Sequence, residues 1–163
     1  GPLFHAALEP AQENSGKLVM TVKQQAQQLA LDGGYETLIV DGPPGIGCPV
    51  ISAVSSASLA LIVTEPTVAG IHDMARILEL TEHFRVPAMV CVNKADIYPA
   101  GTGEIRAFCH TRGVEVIGEV PFDEQVVSAI VHAQPITLYA PDSSASRSIQ
   151  CLWQRLAQWL KNV

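Results

Sequence analysis

Apolar residues recur along this chain in two alternating periods. Between residues 15 and 32, Leu18, Val22, Ala26 and Leu29 repeat at helical spacing with Lys and Gln among them, which predicts a helix. Asn14 or Ser15 stands where a cap is needed, and Gly33-Gly34 stops the pattern. Residues 36–41 (E-T-L-I-V-D), 59–64 (L-A-L-I-V-T), 88–93 (A-M-V-C-V-N) and 114–120 (V-E-V-I-G-E-V) read as strands, each largely apolar and buried on both faces. Helical patterns are expected between them at about 50–56, 68–84 and 103–112, and after them near 124–133 and 143–161. In the final helix Ile149, Leu152, Trp153, Leu156 and Leu160 share one face. Residues 1–14 hold two prolines and no period, and are expected to be an irregular lead-in.

Apolar strands alternating with helices predict an α/β fold: a mostly parallel sheet with helices on both faces and right-handed crossovers. Ligands of such sheets sit outside the carboxyl ends of the strands. The informative positions are therefore those after Val40, Val63, Val92 and Val120. A length of 163 residues suits a single domain over 1–163.

Composition narrows the functions. Hydrophobic residues form 48% of the chain, enough for a sizeable core. The net charge of -6 would repel a phosphate backbone, so no nucleic-acid partner is expected. The apolar stretches are short and interrupted, and residues 150–163 carry only Arg155 and Lys161 as cations, so no membrane association is expected. No signal-peptide pattern opens the chain, and Gly at position 1 leads us to expect a segment of something longer. Cys48, Cys91, Cys109 and Cys151 form no C-x-x-C pair. That argues against a zinc ribbon or ferredoxin cluster within the chain and suits a reducing cytoplasm. The five histidines show no metal-ligand spacing.

Three strand ends carry chemistry. The first is Asp41-Gly-Pro-Pro-Gly-Ile-Gly-Cys-Pro49. An Asp at a strand tip can hold Mg²⁺ directly or through water, and Gly45 lets a backbone N–H approach an anion. A rigid strand-to-helix turn is the plainer reading. The second is Asn93-Lys-Ala-Asp96. N-K-x-D is the pattern by which GTPases read guanine: the carboxylate of Asp96 would accept two base hydrogen bonds while the stem of Lys94 packs on the base. A turn with a helix-starting Asp is the alternative. The third is Val120-Pro-Phe-Asp-Glu124, which can border a base at Pro121 and Phe122 and also cap a helix with Asp123.

In order and spacing, D-G-P-P-G, T-E-P-T, N-K-x-D and V-P-F-D resemble the MinD/ParA/Mrp/nitrogenase-iron-protein class of P-loop ATPases. The resemblance covers nearly the whole chain. It is strongest to MinD-like proteins with an inserted ferredoxin module, a subgroup that Glu13-Asn-Ser-Gly-Lys-Leu18 also resembles. It implies Mg-ATP binding and hydrolysis, and homodimerisation. It implies that Asp41 organises Mg²⁺ and water, that the Gly45 amide meets the γ-phosphate, and that Asn93, Pro121 and Phe122 contact the base. Thr64-Glu-Pro-Thr67 resembles a segment near the dimer interface, and a helix start capped by Thr67 is the alternative. Cys48 sits at an offset similar to that of a cluster-ligating Cys in the nitrogenase iron protein, which makes it a candidate iron–sulfur ligand or simply a tolerated small residue.

The chain departs from the class in two places: it contains no G-K-G-G-x-G-K-T string, and the ferredoxin cysteines of the subgroup are missing too, both expected before residue 1. Lys17 follows a single Gly and does not replace the glycine string. Such a loop supplies most of the N–H donors and the lysine that offset triphosphate charge. We therefore expect an incomplete P-loop domain whose amino-terminal part lies before residue 1, weak nucleotide binding by the chain alone, and self-association or completion by another chain. The competing functions are a GTPase fragment using N-K-A-D and a non-catalytic binding or scaffold domain.

Overall fold

A computed structural model of the chain describes residues 2–5 and 15–162. Most of the expected lead-in therefore lies outside the described residues. Seven helices and three strands occur among the described residues: α1 (Ser15–Asp32), α2 (Cys48–Val54), β1 (Ala60–Thr64), α3 (Val68–Phe84), β2 (Ala88–Asn93), α4 (Pro99–Thr111), β3 (Glu115–Val120), α5 (Glu124–Val131), α6 (Ile136–Tyr139) and α7 (Ser144–Leu160). The strands form one parallel sheet in the order β1-β2-β3. The chain divides into two compact units, Gly1–Ala60 with Arg76–Pro87 and Leu61–Ala75 with Ala88–Val163.

In the first unit α1 packs on α2. The apolar positions of α1 are half-buried at Leu18 and Val22 and buried at Ala26, while Leu29 is exposed. Lys23 lies beside them and is buried too. Its ammonium donates to the carbonyls of Ala53 (2.8 Å) and Ser55 (2.6 Å), where α2 ends. Those carbonyls lack partners within the helix, so a cation there offsets both the orphan acceptors and the helix dipole. Burial pulls the Lys23 ammonium below its usual pKa. A second cluster joins Val50, Val54 and Val86 to Ile77, Leu80 and Phe84.

Residues 36–41 correct the sequence reading: they form no strand. There Leu38, Ile39 and Val40 are exposed by 38%, 75% and 38%. A strand forms only where a neighbour pairs its N–H and C=O groups, and no described strand pairs with residues 36–41. Asp41 accordingly lies in an exposed irregular segment rather than at a strand tip.

The second unit is built on β2 and β3. β2 is buried at four consecutive positions, Met89 to Val92, as a strand covered on both faces should be. β1 departs from that expectation at Val63, which is 63% exposed. Gly118 on β3 approaches Leu152 of α7 so closely that a Cβ would lie 2.9 Å from Leu152 Cδ1. The next residue, Glu119, forms a bidentate pair with Arg106 of α4 at 2.6 Å. Successive strand residues point to opposite faces, so α7 and α4 cover opposite sides of β3. Cys91, Val120 and Ala145 form the core here with Leu61, Val126 and Leu152 packed around them. No described helix is long and apolar enough to cross a membrane.

Candidate functional site

The carboxyl ends of β2 and β3 lie side by side, with Asn93 opposite Val120 in the parallel register. Beyond them the chain turns sharply. Lys94 adopts a positive φ of 51°, a conformation that non-glycine residues enter only where surrounding contacts impose it. Those contacts are visible. The Ala95 amide donates to Val120 O at 3.0 Å, and Ile97 N donates to Lys94 O at 3.1 Å. Thr102 Oγ1 donates to Ala95 O at 2.7 Å. Lys94 Nζ reaches Glu65 Oε1 at 2.7 Å, joining the ends of β2 and β1. The two side chains are about equally half-exposed, so the pair orients the lysine more than it stabilises the fold.

Asp96 Oδ1 accepts the backbone N–H of Phe122 at 2.6 Å, tying the turn after β2 to the loop after β3. Asp123 fixes the other end of that loop. Its Oδ1 accepts from Gln125 N at 3.0 Å, and its Oδ2 accepts from Ser144 Oγ at 3.0 Å and Ala145 N at 3.1 Å. The Ala145 and Gln125 amides hold its pKa down at about 2. Between these anchors Pro121 is half-buried and Phe122 is 46% exposed at the rim.

The turn after β1 is a helix start. Thr67 Oγ1 accepts the Gly70 amide at 3.0 Å and caps α3, the plainer of its two sequence readings. Gly70 is required there, because a Cβ would meet Glu65 O at 2.4 Å.

In the first unit Gly45 has a φ of 87°, and no heavy atom lies within 4 Å of the point where a side chain would begin. Cys48 opens α2 as an exposed free thiol. Cys91 is buried, and burial raises its thiol pKa to about 11, which removes it as a ready thiolate ligand. No group of three or more metal-ligating side chains occurs among the described residues.

Sequence reasoning missed Glu65 as the partner of Lys94, and Asp96 as an acceptor for its own neighbouring loop. The first was within reach, since parallel neighbours place T-E-P-T and N-K-A-D on one rim with opposite charges. The second depends on the separation of two loops, which no spacing along the chain encodes.

A family model described as "ParA: NUBPL iron-transfer P-loop NTPase" matches residues 14–157. An uncharacterised protein of Methanocaldococcus jannaschii is 31% identical over 163 residues, covering 98% of this chain and 52% of that protein. The iron-sulfur cluster carrier protein of Pyrococcus furiosus is 28% identical over 162 residues, covering 91% and 54%. The chain thus spans about half the length of the curated relatives it matches. Among solved structures, the MinD cell division protein of Aquifex aeolicus superimposes with a TM-score of 0.72 at 26% identity, covering 88% of this chain and 61% of that one.

Proposed function

We propose, for a chain that belongs to the ParA family of P-loop NTPases, that it carries the base-binding and switch elements of a Mg-ATP-dependent ATPase. The observation that supports this most is the paired rim of β2 and β3, where the turn bearing Asn93 and the loop bearing Pro121 and Phe122 are hydrogen-bonded together. In this reading Asn93 hydrogen-bonds the base and Pro121 and Phe122 border it. Asp41 holds Mg²⁺ through water, and the Gly45 amide meets the terminal phosphate.

The residues fit those roles chemically. Asp41 is exposed, and the space beside Gly45 is open enough for an anion to approach the backbone. Mg²⁺ supplies charge neutralisation when bound. The chain's own groups position and orient the reactants, and no covalent intermediate is needed. No lysine-bearing glycine loop occurs in the sequence. Together with the half-length coverage of relatives, this supports a portion of a larger P-loop domain, inactive by itself.

Calorimetry with Mg-ATP tests this. The full-length protein should bind, Asn93→Ala should weaken binding, and this chain alone should show no micromolar affinity. A full-length protein that ignores Mg-ATP would overturn the ATPase reading, and micromolar binding by the chain alone would overturn the loop requirement.

An iron–sulfur cluster as cargo is the second reading. Similarity to the iron-sulfur cluster carrier protein of Pyrococcus furiosus favours it, as does the exposed thiol of Cys48, which could serve from each of two associated copies. Anaerobic reconstitution with iron and sulfide should give a visible absorption band that Cys48→Ser abolishes. A band that survives the substitution excludes Cys48 as the ligand.

A further inference from the structure

The N-K-A-D turn has the letters of a guanine-reading motif, yet one carboxylate oxygen of Asp96 and the Lys94 ammonium are already engaged within the fold. A guanine reader aims both carboxylate oxygens of its Asp at the base N1–H and 2-amino hydrogens, so the group's orientation must be set by the base. Here Asp96 Oδ1 is held at 2.6 Å by the Phe122 amide, a short charge-assisted bond. A base reader also needs its lysine stem laid along the base, and here Lys94 is drawn to Glu65 at 2.7 Å. The Phe122 amide sits between two further anchors: Val120 O accepts from Ala95 N, and Asp123 is fixed by the starts of α5 and α7. The loop is thereby set in place before any ligand arrives.

We propose that Asp96 is a positioning residue that clamps the loop carrying Pro121 and Phe122, so that the site accepts a purine nucleotide through that loop without selecting guanine. The proposal rests on the nucleotide-binding reading above and adds its base specificity. Pre-setting a loop removes the ordering cost that binding would otherwise carry. Removing the clamp should therefore weaken only ligands that touch the loop.

The test uses the full-length protein and three probes: ATP, GTP and inorganic tripolyphosphate. Wild type should bind ATP at least as tightly as GTP. Asp96→Ala should weaken ATP roughly tenfold, the scale of one lost hydrogen bond to a charged group, and leave tripolyphosphate unchanged. A merely structural defect would weaken both. Asp96→Asn keeps an oxygen acceptor for the Phe122 amide and should behave as wild type. If Asp96 instead reads guanine, wild type should prefer GTP, and Asp96→Asn should shift that preference to xanthosine triphosphate, whose 2-oxo group accepts from the new amide. That result overturns the proposal.

Hydrogen exchange at the Phe122 amide decides the clamp without any nucleotide. It should be protected in wild type and Asp96→Asn and fast in Asp96→Ala. Equal protection in all three overturns the clamp, whereas absence of ATP binding in wild type overturns only the ATPase reading.

Discussion

At Asp123 one carboxylate gathers donors from two helices: the Gln125 amide of α5, and the Ser144 hydroxyl and Ala145 amide of α7. These bonds need the charged form, and they lower its pKa from 3.8 to about 2. A carboxyl group that is more acidic when folded contributes stability that is complete above its unfolded value and is lost as pH falls through its folded one. Asp123→Asn should therefore melt earlier than wild type at neutral pH, and the two curves should merge as pH drops from about 4 to about 2. A gap in melting temperature that stays constant down to that pH would show that Asp123 does not titrate in this way. The capping role of Asp123 was legible in V-P-F-D. Its hold on α7 was not, because that contact closes 22 residues further along the chain. Lys23 is the sharper case: among the polar positions of α1 it reads as solvent-facing, yet it is buried against the end of α2.

The elements were mostly readable. α1 and α3 fall on the residues that periodicity marks, and β2 matches its predicted span. α4 begins earlier than expected, at Pro99, which suits the first helical turn because proline has no N–H to leave unpaired. The four-residue α6 was not foreseen, as one turn carries no period to detect. Packing between a strand and a helix is close where Gly118 of β3 meets Leu152 of α7, in a strand whose pairing with β2 carries a register shift between Val90 and Cys91. Gly118→Val should force α7 outward and cost about 1–3 kcal/mol, the usual range for overpacking. Chemical denaturation of the second unit's core checks this. Unchanged stability would mean that α7 can slide along the strand at no cost.

At the scale of the whole molecule, the segment 36–41 is an exposed apolar feature. Leu38, Ile39 and Val40 are exposed on a backbone whose hydrogen-bonding groups no described strand satisfies. Such a segment invites pairing with another chain. We expect concentration-dependent self-association by light scattering. Ile39→Lys should suppress it by placing a charge on the most exposed of the three side chains. A wild-type chain that stays monomeric at all accessible concentrations would remove this expectation.

The sequence by itself determined the alternation of helices and strands, the parallel sheet and the strand-end motifs, because hydrophobic period and turn chemistry are local properties. It also carried the family resemblance, which rests on motif order. Only the tertiary structure decided that residues 36–41 join no described strand, that Lys23 is buried, and that Asp96 accepts its bond from the neighbouring loop. Each of these depends on which groups meet across space. A strand without a neighbour has no ladder, and a carboxylate serves whichever donor the fold brings within reach.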